Sequence, residues 1–447
     1  MVALRTIPTG DEPTPSAFAD DDLVIALEPD AALDGAGAAA LVEAAATDAA
    51  DAFFGDIEVD GVRTRRAAWS PTRLRSDPVA ASPIAVRAGW LRRHDVSGGD
   101  PALPLLLAAG DARVGHLPAT LSRHRRPPAA PSALDLGRVA TPPTLTERPR
   151  IDVVVPSAGF PVEPGGPMAL RGLLDSLAPV DGVAFTVVVG DEFVGDRAFL
   201  RTRPDVSLVE RPHGPFNFSA AVNLGILRST ADRILLLNDD IEAVDADAIH
   251  TMAAHLDDPD VAAVGALLTY PDGTIQHAGV IIDDARPLHP FVGWSPEDAA
   301  RHGGLLAREV VAVTGACLLA RRRDLLAVGG LSVGFPLSFN DIDLCIRLQR
   351  TVGRVVVEPA ARFVHHETVT REPAIAADEW DRWIDRWGEI VDPWYHPGWL
   401  RPDDPHRLHR NADHLEPIDD LAPDASLVRY PELTSRVHRG RAASSPR

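Results

Sequence analysis

Three short stretches hold the side chains that could do chemistry. In "RILLLNDDIEAVD" four apolar residues run into Asn238, Asp239 and Asp240, with Glu242 close behind; "FNDIDLCIRL" holds Asn340, Asp341 and Asp343; "FVHHET" holds His365 and His366. An apolar run of this kind reads as a strand buried on both faces, and open α/β sheets bind ligands at the carboxyl ends of such strands. Carboxylates gathered there suit a hard divalent cation, and a carboxylate beside a hydroxyl can take its proton. Each stretch also has a plain structural reading. Asn-Asp-Asp makes a turn and a helix cap. Asn340 fits an N-cap with Asp343 three residues on, and Asp343 and Arg347 have the i,i+4 spacing of a helical ion pair, which leaves Asp341 free for other work. A lone histidine is most often a packed or solvated residue, and the adjacent His366 leaves open which ring matters.

Composition removes whole classes of mechanism. All 44 basic residues are arginine. Without lysine there is no P-loop lysine, no kinase strand lysine and no pyridoxal-phosphate Schiff base, so any phosphate must be met by a metal, by arginines or by backbone N–H groups. A formal net charge of −20 argues against a nucleic-acid partner. Two cysteines, Cys317 and Cys345, provide no disulfide framework and fit a reducing compartment. No apolar run reaches the roughly 18 residues of a membrane span, and the N-terminus lacks a signal pattern, so a soluble, cytoplasmic protein is expected. The last twelve residues carry four arginines and no acid, an end that could touch the anionic inner face of a membrane, although a solvated tail is the commoner meaning.

The chemistry-bearing stretches need a scaffold. Residues 1–20 read as a loose tail. From residue 21 to 126, apolar runs ("LVIAL", "PLLLAA") alternate with Ala-rich helical stretches such as "GAGAAALVEAAATDAA", the pattern of an α/β module. A Pro-rich linker is expected over 127–148, a larger α/β domain over 149–400 with strands in "IDVVVP", "AFTVVV", "RILLL" and "VAAVGALLTY", and a polar tail over 401–447. An internal repeat joins the halves: "ARVGHLPATLSRH" aligns with "GRVVVEPAARFVHH", placing His124 on His365, and "LVIALEPDAALD" resembles "ILLLNDDIEAVD", placing Asp30 on Asp240. The first half reads as a decayed copy of the second.

The ordered set "VVVPSAG", "VVVGDEF", "GPFNFSAAVNLGILRSTADRILLLNDDIEA", "VGALLTYPDGTIQHAGV", "VTGACLLARRRDLLAVGGLSVGFPLSFNDIDLCIRL" and "FVHHET" resembles the family-2 glycosyltransferases, especially bacterial rhamnosyltransferase-like and galactofuranosyltransferase-like members. The resemblance spans about residues 150–371. It implies a GT-A fold, an α/β architecture with a mostly parallel central sheet flanked by helices, here preceded by a partial module of the same kind. It also implies a UDP- or dTDP-sugar donor, a glycan or lipid-linked acceptor, Mn²⁺ or Mg²⁺, and inversion at the anomeric carbon. By the same resemblance Asp240 and His365 would hold the metal, Asp239 the ribose, and Asp191 the nucleotide base. Asn217 and Asn223 would lie on the donor side, where Asn217 equally fits a plain helix cap, and Thr314, Gly315 and Asn340 on the acceptor side. Asp341 matches the general base, with Asn340 standing where a second carboxylate is commoner. The N-terminal half has "GGDPAL" where the base helix would sit, Pro101 directly after Asp100 departing from the pattern, and is expected to pack on the catalytic part or to help bind the acceptor. A catalytically inactive glycan- or nucleotide-sugar-binding protein of the same fold is the alternative.

Overall fold

The computed structural model describes residues 2–8, 18–64, 70, 72, 83–98, 103, 106–107, 112–126, 145, 147–163, 165–245, 247–283, 285–301, 305–367, 375–390, 392, 394 and 409–410. The chain divides into two units: one built from Met1–Pro142, Glu297–Glu309 and Asp392–His414, the other chiefly from Pro143–Pro296 and Val310–Val391.

The first unit runs β1 (Leu4–Pro8), β2 (Leu23–Leu27), β3 (Ala31–Leu33), α1 (Gly35–Thr47), β4 (Ala52–Val59), β5 (Val62–Thr64), β6 (Ala85–Arg87), α2 (Ala88–His94) and β7 (Val114–His124). Its sheet is ordered β1-β2-β6-β4-β7, with β3 added to β7 and β5 to β4. The period-two alternation of strand β2 sends Leu23 and Ile25 to a core shared with Leu41 of α1, and Val24 to a core shared with Trp90 and Leu91 of α2. Three expectations are corrected here. Residues 4–8 are no tail, because β1 pairs in parallel with β2; in the "PLLLAA" run Leu106 and Leu107 are helical; and His409–Arg410, expected in a polar tail, pair with β7. The segment Glu297–Glu309, expected within 149–400, belongs to this unit, where the buried Glu309 carboxylate accepts from Ser70 Oγ, Thr72 N (3.1 Å) and Thr72 Oγ1 (2.6 Å). Most of the linker expected at 127–148, the "GGDPAL" stretch beyond Gly98 save Leu103, and the rest of the C-terminal tail lie outside the described residues.

The second unit runs β8 (Ile151–Pro156), α3 (Ala169–Leu177), β9 (Val183–Val189), α4 (Arg197–Thr202), β10 (Val206–Glu210), α5 (Phe218–Arg228), β11 (Arg233–Leu237), β12 (Ile241–Ala243), α6 (Ala248–His255), β13 (Val261–Thr269), β14 (Ile275–His277), β15 (Ile281–Asp283), β16 (Arg286–Leu288), β17 (Cys317–Arg321), α7 (Arg322–Ala327), α8 (Asn340–Thr351), β18 (Arg354–His365) and α9 (Ala377–Trp387). The main sheet is ordered β10-β9-β8-β11-β17-β13-β18-β12. The first four strands are parallel, β17 runs antiparallel between β11 and β13, β13 and β18 are parallel, and β12 is antiparallel on β18. This is a mixed α/β architecture, with helices between the strands of one large sheet. All six residues of β8 are buried, and they are apolar except Asp152, whose carboxylate accepts from Thr186 Oγ1 of β9 at 2.8 Å. Leu170, Leu173, Leu174 and Leu177 of α3, at i, i+3, i+4 and i+7, share a core with Val153 and Val155. Helix α5 lies close to β8 because residue 225 is glycine: a Cβ there would meet Val154 Cγ1 at 2.3 Å.

The expected cap of α8 is overturned. Phe339, not Asn340, is the capping residue, in a left-handed conformation (φ 62°) and without a side-chain cap bond. Its ring stacks on Trp383 of α9 at 5.1 Å, so packing of the aromatic side chain decides the helix start. Asp343 is fully buried and forms its i,i+4 pair with Arg347 (2.8 Å) inside the core, also accepting from Trp387 Nε1 at 2.9 Å. Arg347 in turn donates to the carbonyls of Val328 (2.6 Å) and Gly330 (2.8 Å). Replacing Asp343 with Ala would strand a buried guanidinium, and we expect a stability loss of about 3–5 kcal/mol. Urea denaturation measures it; a loss within the ~0.5–2 kcal/mol of a helix cap would contradict the buried pair.

Candidate functional site

The carboxyl ends of β8, β9 and β11 lie side by side. One residue past β8, Ser157 donates from its N–H to Val188 O (3.0 Å) and from Oγ to Asp239 Oδ2 (2.6 Å). Burial, opposed by this hydroxyl and reinforced by the Asp240 charge, raises the Asp239 carboxyl to about 6. Asp191 stands beyond the end of β9, exposed, with His213 Nδ1 at 2.8 Å from Oδ2. Thus Asp191 and Asp239 occupy the same edge of the parallel sheet, where ligands of open α/β sheets bind.

Asp240 meets His365 although 124 residues separate them, because β12 pairs antiparallel with β18 in a register that sets Ile241 opposite His365. Asp240 Oδ1 and His365 Nε2 are 3.2 Å apart. The tautomer follows from the partner on the other nitrogen. Gln276 turns its amide N–H to Glu367 Oε2 (3.3 Å), which can only accept, and so presents Oε1 to His365 Nδ1 at 2.6 Å. Nδ1 therefore carries the proton, and the Nε2 lone pair faces a carboxylate oxygen. Two electron-rich atoms so placed fit a cation between or beside them, and a carboxylate with an imidazole oriented by an amide suits Mn²⁺ or Mg²⁺. Among the described residues no group of three or more His, Cys, Asp or Glu side chains forms a complete metal cage. The other ring, His366, turns to Glu242 Oε1 (3.4 Å), while its N–H holds Asp240 O (3.0 Å), which separates the two histidines that sequence alone left open.

The third group sits where the chain enters β17. Gly315 N donates to Asp341 Oδ2 at 2.8 Å, and Ile342 N to Oδ1 at 2.9 Å. A Cβ on Gly315 would meet Asp341 Cβ at 3.2 Å, so a side chain there would press on the carboxylate. Thr314 Oγ1 accepts from Ala316 N (3.2 Å), and Ala316 O accepts from Asn238 N (3.1 Å). Hydrogen bonds thus run from Asp341 through Gly315 and Ala316 to the residue beside Asp239.

Of the three predicted asparagines, Asn217 takes the plain capping role and the other two are buried. Asn217 caps α5, accepting from Ala220 N (2.9 Å), and ties Val333 O (2.9 Å). Asn223 is buried and pairs both amide atoms with the Leu331 backbone, at 2.7 and 2.8 Å. These amides are spent on the loop that leads into α8 rather than turned to a donor. Asn340 is buried too, its Nδ2 without a hydrogen-bond partner, and sits behind Asp341 in the first turn. Two residues escaped the sequence reading. Ser157 had a usable signal, since it follows the apolar run of the strand next to β11. Gln276 did not, because its tie to His365 is made only by the fold.

No protein-family model matches the chain. It is 36% identical over 201 residues to the uncharacterized protein y4gI of Sinorhizobium fredii, covering 42% of this chain and 22% of that protein. It is 28% identical over 382 residues to the O-antigen biosynthesis protein RfbC of Myxococcus xanthus, covering 74% and 29%. It is 27% identical over 315 residues to a pre-mycofactocin glycosyltransferase of Mycobacterium tuberculosis, covering 68% and 55%. The chain thus spans between about a fifth and just over half of the length of these relatives.

Proposed function

We propose that the second unit is a metal-dependent, inverting glycosyltransferase of the family-2 kind. It would move a hexosyl or deoxyhexosyl group from a UDP- or dTDP-sugar to a glycan or lipid-linked acceptor in cell-surface polysaccharide synthesis, at the cytoplasmic side of the membrane. The observation that carries this reading is the single framework holding the Asp239–Ser157 pair, the Asp240–His365 pair and Asp341. The names of the Myxococcus and Mycobacterium relatives support it.

In this reading each residue has a physical task. Asp341, held by two backbone N–H groups, takes the proton of the acceptor hydroxyl as its oxygen attacks the anomeric carbon. Asp239, fixed by Ser157, orients the ribose, and Asp191 with His213 lies where a base would be read. Asp240 and His365 would hold a divalent cation, which supplies the positive charge for a departing diphosphate that a lysine-free chain otherwise lacks.

The internal repeat is part of the proposal. Ala31 pairs with His124 as Ile241 pairs with His365, and Leu23 with Arg87 as Arg233 with Arg321. Arg87 gathers the carbonyls of Ala45, Asp48 and Ala50, as Arg321 gathers those of Leu256, Asp258, Pro259 and Val261. We read the first unit as a copy in which, among the described residues, β9 and β10 have no counterpart. At its corresponding positions His124 Nε2 faces Ser122 Oγ (2.7 Å), Asp30 faces Arg126 (3.6 Å), and Arg63, where Gln276 would be, pairs with Asp56 (2.7 Å). Donor chemistry is therefore assigned to the second unit.

Three outcomes test this. Asp240→Ala, or chelator added to the unaltered protein, should abolish Mn²⁺-dependent binding of the nucleotide sugar; full affinity in excess chelator, followed by calorimetry, would refute metal dependence. Gln276→Leu should weaken Mn²⁺ binding by about 10–100-fold through loss of the ring's orientation, and unchanged affinity would remove Gln276 from the site. Asp341→Asn should slow transfer by at least ~10²–10⁴-fold while donor affinity stays near that of the unaltered protein. Near-normal transfer by Asp341→Asn would be decisive against its role as base.

A further inference from the structure

A second histidine pair stands beside Asp341 and has no part in the scheme so far. His277 ends β14, buried; His289 follows β16 and is exposed. Their Nδ1 atoms are 2.9 Å apart, and the rings meet edge to face at 5.0 Å. The backbone decides where the protons are. His277 Nε2 accepts from Gly279 N (3.2 Å) and Thr314 N (3.3 Å), so it carries a lone pair and the proton is on Nδ1. That Nδ1–H can only donate to His289 Nδ1, which must then be the acceptor. The remaining proton of a neutral His289 is on Nε2.

His289 is held in place as well as in tautomer. Ile281 to Asp283 pair with Arg286 to Leu288, and Trp383 Nε1 of α9 clamps Ala285 O at 2.7 Å, so the hairpin before His289 is fixed at its turn. Gly279 (φ 94°) lets the chain turn next to His277, since a Cβ there would meet Val310 Cγ1 at 2.7 Å. Although His289 as a whole is exposed, desolvation by the protein around its ring lowers its pKa, against the charges of Asp341 and Glu367, which raise it. Thr314 is thus bonded on one side to the His277–His289 pair and adjoins Gly315, which holds Asp341, on the other.

We propose that His289 is an acceptor-binding residue, offering its Nε2–H to an oxygen of the acceptor sugar so that one particular hydroxyl is presented to Asp341, and that His277 is a positioning residue that fixes this tautomer. The ligand class is a neutral polyol or sugar, because a neutral N–H donor beside two carboxylates recognises hydroxyl and ring oxygens and would not favour an anion. The proposal rests on the glycosyltransferase reading. It concerns which acceptor oxygen is bound, and involves no covalent step of its own.

The test has two arms. In the first, NMR of the full chain with isotope-labelled histidine reads the ring protons directly, and titration with methyl glycosides of galactose, rhamnose and mannose serves as the probe. His277 should carry Nδ1–H and His289 Nε2–H, and at least one glycoside should shift the His289 signal. The opposite His289 tautomer, or no shift with any of the three, overturns the proposal. In the second arm, nucleoside diphosphate release from a UDP- and dTDP-sugar panel is divided between water and added methyl glycoside. His289→Leu should lower the glycoside-to-water partition about tenfold, and His289→Gln, which keeps an N–H donor, should restore much of it. An unchanged partition in His289→Leu overturns the proposal. If the unaltered protein releases no nucleotide from any donor, the glycosyltransferase reading itself fails, and the NMR arm alone decides whether His289 binds a sugar.

Discussion

The site depends on the antiparallel pairing of β11 with β17. This pairing sets Leu237 opposite Cys317, and one step further Asn238 N meets Ala316 O at 3.1 Å. The oxygens at the end of β11 are thereby locked to the turn whose Gly315 N–H holds Asp341. A slip of one residue would move the side chains of one strand to its opposite face and carry Asn238 N away from Ala316 O. At the far end of β17, Arg321 secures the same strand by donating to Leu256, Asp258, Pro259 and Val261 carbonyls and to Asp324 Oδ2 (2.6 Å). The strand that carries no chemistry of its own therefore sets the spacing between the acids that end β11 and Asp341.

Much of this was legible in the residues. The apolar runs became β8, β9, β11 and β13, and their polar ends mark one edge because parallel neighbours end together. The pairing of Asp240 with His365 was suggested by motif order, but its geometry required the β12–β18 register. What stayed hidden had physical causes. Asn340 looked like a cap, yet stacking of Phe339 on Trp383 moved the helix start by one residue. Asn223 looked exposed to a ligand by its place near a helix start, but its amide reads the Leu331 backbone, a contact 108 residues away in sequence. Local patterns identify elements and caps; long-range side-chain contacts to backbone leave no local trace.

The absence of lysine has a structural counterpart. Two buried arginines and one half-buried one act as internal clamps: Arg347 reaches two carbonyls and Asp343, Arg321 reaches four carbonyls and Asp324, and the half-buried Arg87 reaches several carbonyls of its own unit. The five-donor fork of a guanidinium can satisfy several acceptors from one buried position, whereas an ammonium has three donors and is more strongly hydrated. Loops that would otherwise leave carbonyls unpaired are closed in this way around the strands that bear the site.

The two sheets also differ in how far the chain must travel to close them. In the first unit 14 residues separate Pro8 from Leu23, and β1 pairs directly with β2. In the second, 76 residues separate Pro156 from Arg233 before β8 can pair with β11, and β9 and β10 are made in between. Closing the longer loop costs only about 1.5 kcal/mol more by chain statistics, but parallel contacts of greater sequence separation form more slowly. The shorter sheet has the more local route to its native pairing, and the unit with the proposed site is the one whose central strands must find each other late.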